Sequence, residues 1–437
     1  MSTARFSNFR SPNDGAMPHF PDGLSAERIV ANQIIGNAAF AWDSATSTPA
    51  AAPGYASSAA VVSAVHRQMR RCVMAPDGSI VGYLHSTDSR LWEDGSDATS
   101  AIAGAGGSLY QVMVEIPLCY YKVERIGTIT IWSISDAPQT GYAIHPAFIR
   151  GDSVVPYRYY GAYDAAVYDV SAAEYIGGLN ADDNTDATPT GLDRVDITAS
   201  TGDKLVSVSG QYPMVGLTRG EFRQLAANLG SGWHQVDFWL VSLVQLLAVI
   251  EIQSFNTQQL LGMGNTQSSY PSSSDSQSDS PHSVAGKSDQ SGNQSNYVDT
   301  AWMSYRGIEN WFGNCWQFVD GLNYDGDNQI PYVASDSSAF VDGDVSSNSS
   351  YTSLGVTLPT SNGYVKDLQG VANVFLPLSV GGSSSTYITD YFWRNAGWRV
   401  AVFGGDASHS SLAGGLCWHL SYDSVVRYRG IGARLAR

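Results

Sequence analysis

The stretch VDFWLVSLVQLLAVIEI, residues 236–252, constrains the fold more than any other part of this chain. At helical spacing it is apolar on nearly every side, and such a helix is stable only when other structure encloses it. It is shorter than the ~20 apolar residues that a membrane span needs. Asp237, Ser242, Gln245 and Glu251 interrupt it as well. The segment therefore predicts the centre of a soluble core rather than a span.

A second helix is predicted just upstream. In LTRGEFRQLAANLG, Thr218 and Glu221 have the spacing of a capping box, in which each side chain satisfies a backbone N–H that the helix leaves open. Phe222, Leu225, Ala226 and Leu229 recur at i, i+3, i+4 and i+7, and Gly230 supplies the stop.

Around this helix pair the chain reads as β structure. Gly (44), Tyr (24) and Trp (11) are abundant for a helical protein. Pro76-Asp77-Gly78 joins two short apolar runs as a hairpin. QVMVEIPLCYYKVERIGTITIWSIS holds alternating runs with a turn at Glu124–Gly127. Further short strands are expected near GYAIHPAFI, GVANVFLPL and GWRVAVFGG. The expected class is α+β, with two central helices among many short strands.

Residues 1–60 are rich in Pro, Ala, Ser and Gly and read as an extended arm. With the runs that follow, they suggest a small docking or assembly region over 1–105, ahead of a main domain over 106–437. Residues 264–300 almost lack large apolar side chains and read as a long polar insertion, with a milder one at 334–363.

The chemistry-bearing motifs are sparse. The net charge of −16 with no Lys/Arg cluster argues against a nucleic-acid partner. The sequence contains no G-x-S-x-G, P-loop, GxGxxG or HExxH. The four cysteines are widely separated and read as buried free thiols, so neither a zinc site nor any other cofactor is expected. NYDGDNQI, residues 323–330, looks like the start of a calcium loop, but twelve places on from Asp325 stands Asp336 without the intervening apolar spacing. The dense aromatic block YRGIENWFGNCWQFVDGLN reads as a core strand and turn. The first residues contain no apolar run of the kind a signal peptide carries.

That aromatic block resembles the R-G-x-E-N-x-x-G-N-x-W region of the C-type-lectin-like fold, shared by formylglycine-generating enzymes and related phage proteins. The C-terminal stretch resembles the variable region of diversity-generating retroelement target proteins of tailed phages. Gly404-Gly405, Ala413-Gly414 and Ile431-Gly432-Ala433-Arg434-Leu435 match that family's frame. The likeness runs over residues 70–437. It departs from the family in having Ala407 two places after the glycine pair and no Asn in 400–437.

The resemblance implies a C-type-lectin-like domain whose C-terminal region, 400–435, carries exchanged residues on a fixed backbone. In such systems mutagenesis at adenines of Asn codons cannot produce Lys, Glu, Gln, Met or Trp. Residues 400–437 contain no Lys, Glu, Gln or Met, and Trp418 would come from an undiversified codon. The enzyme branch of the fold uses a cysteine pair near the C-terminus. This chain has Cys417 alone there, so no enzyme activity is expected. The ligand-facing residues implied are Asp406, Ser408, His409, Ser411, Leu412, Trp418, His419, Ser421, Tyr422, Val426, Arg427, Tyr428 and Arg429.

The expected function is receptor binding by a phage or prophage tail protein, located on the virion. Its expected partners are a host cell-surface receptor, protein or glycan, and tail proteins reached through the N-terminal region. A homotrimer is expected, and membrane insertion is not. A structural tail protein and a bacterial surface-displayed binder are the alternatives.

Overall fold

The computed structural model describes residues 37–53, 55, 61–178, 195–268, 282–290, 294–295, 302–371 and 374–437. Both expected helices are present. α1 (Arg219–Leu229) begins at Thr218, with both halves of the capping box formed, and ends at Gly230. α2 (Phe238–Ile252) is buried along all fifteen residues. No helix among the described residues is long and apolar enough to cross a membrane.

The polar residues that interrupt α2 each have a task. Asp237 caps the helix through the Leu240 amide and pairs with Arg150 and Arg158. Burial works against its ionised form, but the two guanidiniums outweigh that and hold the carboxyl well below the usual range. Gln245 donates to the Gly415 carbonyl at 2.9 Å, which ties the central helix directly to the C-terminal segment. Glu251 pairs with Arg306.

The three largest sheets among the described residues pack around the pair. The first contains β1 (Asn37–Asp43), whose Phe40 and Trp42 enter the core. The second is seven-stranded and includes β2 (Arg70–Met74), paired antiparallel with β3 (Gln111–Pro117). β4 (Tyr120–Ile126) and β5 (Ile129–Ser135) form the expected hairpin, its register closing at Ile126 opposite Ile129, and β1 pairs along β5. β6 (Tyr157–Gly161) lies beside β3.

The third sheet is nine-stranded and is built on β7 (Trp316–Asp325), every residue of which is buried. Beyond β7 come β8 (Tyr391–Arg394), β9 (Trp398–Phe403) and β10 (Trp418–Tyr422), in the spatial order β7-β9-β10-β8. The aromatic block 305–323 is core, as expected, with Trp311, Phe312, Trp316 and Phe318 fully buried.

The fold is α+β, as expected, but the expected boundary at 105 falls inside continuous structure. β1 and β2 are hydrogen-bonded into sheets completed by residues beyond 110. Residues 37–50 are thus sheet strands rather than arm, and 1–36 lie outside the described residues. Most of 264–300 also lies outside them. The described piece 282–290 is anchored rather than loose, with the Ser288 side chain held by Arg71 and Glu309. In the milder polar stretch, Phe340, Val345 and Tyr351 join Ala334 in a small core of their own.

The chain closes by stitching two sheets together. β11 (Ile431–Gly432) runs parallel to β7 in the third sheet, and β12 (Leu435–Ala436) pairs with His234–Gln235 and β6 in the second. Between them the fully buried Arg434 pairs with Asp164 and donates to the carbonyls of Gly161, Glu309 and Asn310. The framework character of 431–435 has this physical basis.

Among the described residues five histidines are buried, and burial holds each below its usual range: His66 and His282 at about 4, His145, His234 and His419 at about 3. Burial pushes two carboxyls the other way, Asp164 to about 6 and Asp390 to about 7. As pH falls below 6.5 the unfolded chain takes up protons at five imidazoles that the folded chain excludes. The two carboxyls, already protonated in the fold, oppose this. The imidazoles outnumber them, so stability is present above pH 6.5 and lost toward pH 4, at about 1.4 kcal/mol per pH unit for each net proton. Thermal unfolding followed by circular dichroism should give a lower Tm at pH 5 than at pH 7.5; an equal or higher Tm at pH 5 would refute the assignment.

Candidate functional site

The C-terminal segment alternates between surface and core. At its start, Gly405 adopts φ +86°, and a Cβ there would stand 2.5 Å from that of Ala413. No side chain fits where the two strands of this loop meet. From Ser408 the chain passes over the surface, and from Ala413 to Leu420 it returns through the interior. The Asp390 carboxylate fixes that return by accepting from the Leu416 amide at 2.6 Å. The chain then surfaces again over 421–429.

β10 explains which residues emerge. Successive side chains of a strand point to opposite faces. Trp418 and Leu420 face the core, where Trp418 packs on Phe238 and Phe403 and donates from Nε1 to the Phe375 carbonyl. His419 and Ser421 take the other face and bond each other at 3.1 Å.

On that outer face the rings form a row across three adjacent strands. Tyr364, in the strand Gly363–Leu368, stands opposite Tyr391 of β8, and Trp393 stands opposite His419 of β10. Ring centroids are 5.1 Å apart from Tyr364 to Tyr391, 4.4 Å to Trp393, 5.1 Å to His419 and 4.2 Å to Tyr422. A register shift between Val400 and Val402 in the β9–β10 pairing accompanies Tyr422 stacking on His419 rather than pointing away. His409 meets the same group from the preceding surface stretch, 4.9 Å from Trp316 and 5.5 Å from Trp393.

No family model matches the chain, and no curated protein does. Solved structures to which it is similar include two variants of one protein. These are the U1 and P3c variants of the Major Tropism Determinant, at 11% and 12% identity. Each match covers 87% of this chain and 73% of the other, with TM-scores of 0.28 and 0.27.

The thirteen residues expected to face a ligand divide into groups. Ser408 is exposed, and Ser411, Leu412, Ser421, Tyr422, Val426, Tyr428 and Arg429 are half-buried at the surface. His409 is half-buried, and His419 is 8% exposed beneath Tyr422 and Trp393. Asp406 and Trp418 require correction, because neither reaches the surface. Trp418 is on the inner side of its strand. Asp406 is a turn brace that accepts from the Ser408 amide and hydroxyl and from His409 Nδ1 at 2.5 Å. Burial opposes ionisation of Asp406, but its bond to His409 keeps the carboxyl below the usual range.

Arg427 is at the surface but is tethered. It pairs with Glu221, the acid of the α1 capping box, so the loop 423–429 is docked against the start of that helix.

Tyr364, Tyr391 and Trp393 were missed. Their signal was the alternation in Tyr391-Phe392-Trp393, with Phe392 buried between two half-exposed rings. Val425 was also missed; it is 73% exposed, the highest value among the large exposed apolar side chains of the described residues.

Among the described residues no group of three or more His, Cys, Asp or Glu is placed to hold a metal. In the calcium-like loop, the oxygens of Asp325 accept from Asp327 N, Asn328 N and Asn328 Nδ2, which makes a self-bonded turn. The four cysteines are buried free thiols.

Proposed function

We propose that this chain is a phage or prophage tail protein that binds a host receptor through the outer face of its C-terminal sheet, in a C-type-lectin-like domain whose surface residues are exchanged by a retroelement. One observation carries this reading. In the segment that resembles a variable region, the strand 418–422 sends Trp418 and Leu420 to the core and His419 and Ser421 to a ring-rich face, and the stretches 408–412 and 421–429 lie at the surface. Backbone and exchanged side chains are separated by strand alternation, as a diversified binding surface requires. Tyr, His and Ser suit such a face, since rings give contact area at low entropic cost and hydroxyls adapt their hydrogen bonds.

Recognition is non-covalent and uses no catalytic group. Multiple copies on a particle, as in a homotrimer, would turn weak contacts into lasting attachment. Exchanging residues 408–412 and 419–429 between variants is expected to switch which cells adsorb the particle. Unchanged adsorption would favour a structural tail protein. Diversification itself is tested in the genome: a near-copy of the codons for 400–435, differing only at adenines and lying beside a reverse-transcriptase gene, is the expected result, and invariance of the segment across isolates would defeat it.

A further inference from the structure

We infer that the affinity anchor of this surface lies outside the C-terminal segment, on Tyr391 and Trp393, and that the partner it anchors is a protein with an apolar patch ringed by both signs of charge. This rests on the receptor-binding reading above.

Three of the five rings in the row, Tyr364, Tyr391 and Trp393, precede Gly404, so exchange of the segment leaves them in place. Trp393, His419 and Tyr422 are nearly parallel, with interplanar angles of 22° and 9°. Rings that brace one another are ordered before a partner arrives, and little further entropy is lost when they are covered. Tyr391 and Trp393 remain half-exposed. Neither the Tyr391 hydroxyl nor Trp393 Nε1 bonds any described residue, so each ring offers a partner both a face or edge and a polar tip.

The surroundings indicate the class of partner. Arg394 ends the same strand, and its guanidinium bonds Tyr324 Oη and the Gly326 carbonyl. Arg399 bonds the Ala396 carbonyl. Neither makes an ion pair with a described residue. Arg427 and Arg429 lie on the following loop. Carboxylates stand among these arginines, Asp327 accepting from the Gly397 amide and Glu221 pairing with Arg427, so both signs of charge border the rings. A polyanion or polycation would be met by a field of one sign. A ring-rich centre with arginine at its edge, and no Lys or Glu in 391–437, is instead the composition of a protein–protein interface.

The test uses particles carrying the full chain and cells they infect. Tyr391→Ala should slow adsorption by about tenfold or more, as truncating an interface anchor does. Tyr391→Phe, which keeps the ring and loses only the hydroxyl, should slow adsorption less than Tyr391→Ala does. The melting temperature of each variant is measured beside it, and Tyr391→Ala should remain fully folded at the temperature of the adsorption assay. Trp393→Phe, which keeps an aromatic side chain in the row, provides the second series. Proteinase-treated cells should no longer adsorb the particle, whereas periodate-oxidised cells should adsorb it normally. Any other pattern from the two treatments overturns the protein assignment, and loss under periodate alone would identify a glycan. If Tyr391→Ala adsorbs like the parent while segment exchange still switches cells, the anchor is overturned and receptor binding stands. If segment exchange also has no effect, the receptor-binding reading is what has failed.

Discussion

Trp418→Ala is expected to lower the free energy of unfolding by about 3–5 kcal/mol, the range for removing a large buried aromatic side chain. The indole is fully buried between Phe238 and Phe403, and the truncation would also leave the Phe375 carbonyl without its donor. Ser421→Ala, three positions along and on the outer face of the same strand, should cost less than about 0.5 kcal/mol. Urea unfolding of both variants checks the pair. Comparable losses would mean that strand alternation does not separate core from surface here, and the proposed binding face would lose its basis. The expected difference also explains why tryptophan at 418 suits an undiversified codon: the position belongs to the frame.

Arg434→Met is the second large effect, also expected at about 3–5 kcal/mol, because it leaves Asp164 buried without its cation. The carbonyls of Gly161, Glu309 and Asn310 lose a donor in the same change. Asp164 keeps only its bond from Asn314. Adding Asp164→Leu should restore part of the loss, since two apolar side chains in place of a buried pair are often tolerated where a lone charge is not. Equilibrium unfolding of the single and double variants measures this. A double variant no more stable than Arg434→Met would show that Arg434 acts through the carbonyls rather than through Asp164.

The parts of the fold legible in the sequence were those with local causes. The α1 capping box and stop glycine are encoded within thirteen residues, and α2 announces itself by being apolar all round. The β4–β5 hairpin follows from two alternating runs and a turn. β1 was hidden because Asn37–Asp43 is short and alanine-rich, and its strand state depends on β5, almost ninety positions away. Pairing of β2 with β3 is likewise set by residues about forty positions apart, which composition does not reveal.

The candidate site was half legible. The framework glycines and the closing run pointed to a fixed scaffold, and most of the expected positions do reach the surface. The reading went astray at Asp406 because its carboxylate turns inward to brace its own turn, and at Trp418 because of strand alternation. A five-residue strand is enough to send alternate side chains to opposite faces, and too short to stand out among irregular neighbours. Tyr364, Tyr391 and Trp393 come from earlier strands, and nothing local joins them to His419; only the order in which the strands pair does so.

His409 and His419 sit ten positions apart, yet both lean on the indoles of Trp316 and Trp393. They cannot vary as independent letters. A larger side chain at one shifts the indole against which the other is fitted, and residues that share a partner depart from additivity. A library randomised at both positions should therefore hold fewer well-folded members than the product of the two single-site lists. The compatible pairs, more than either residue alone, define what this surface is able to become.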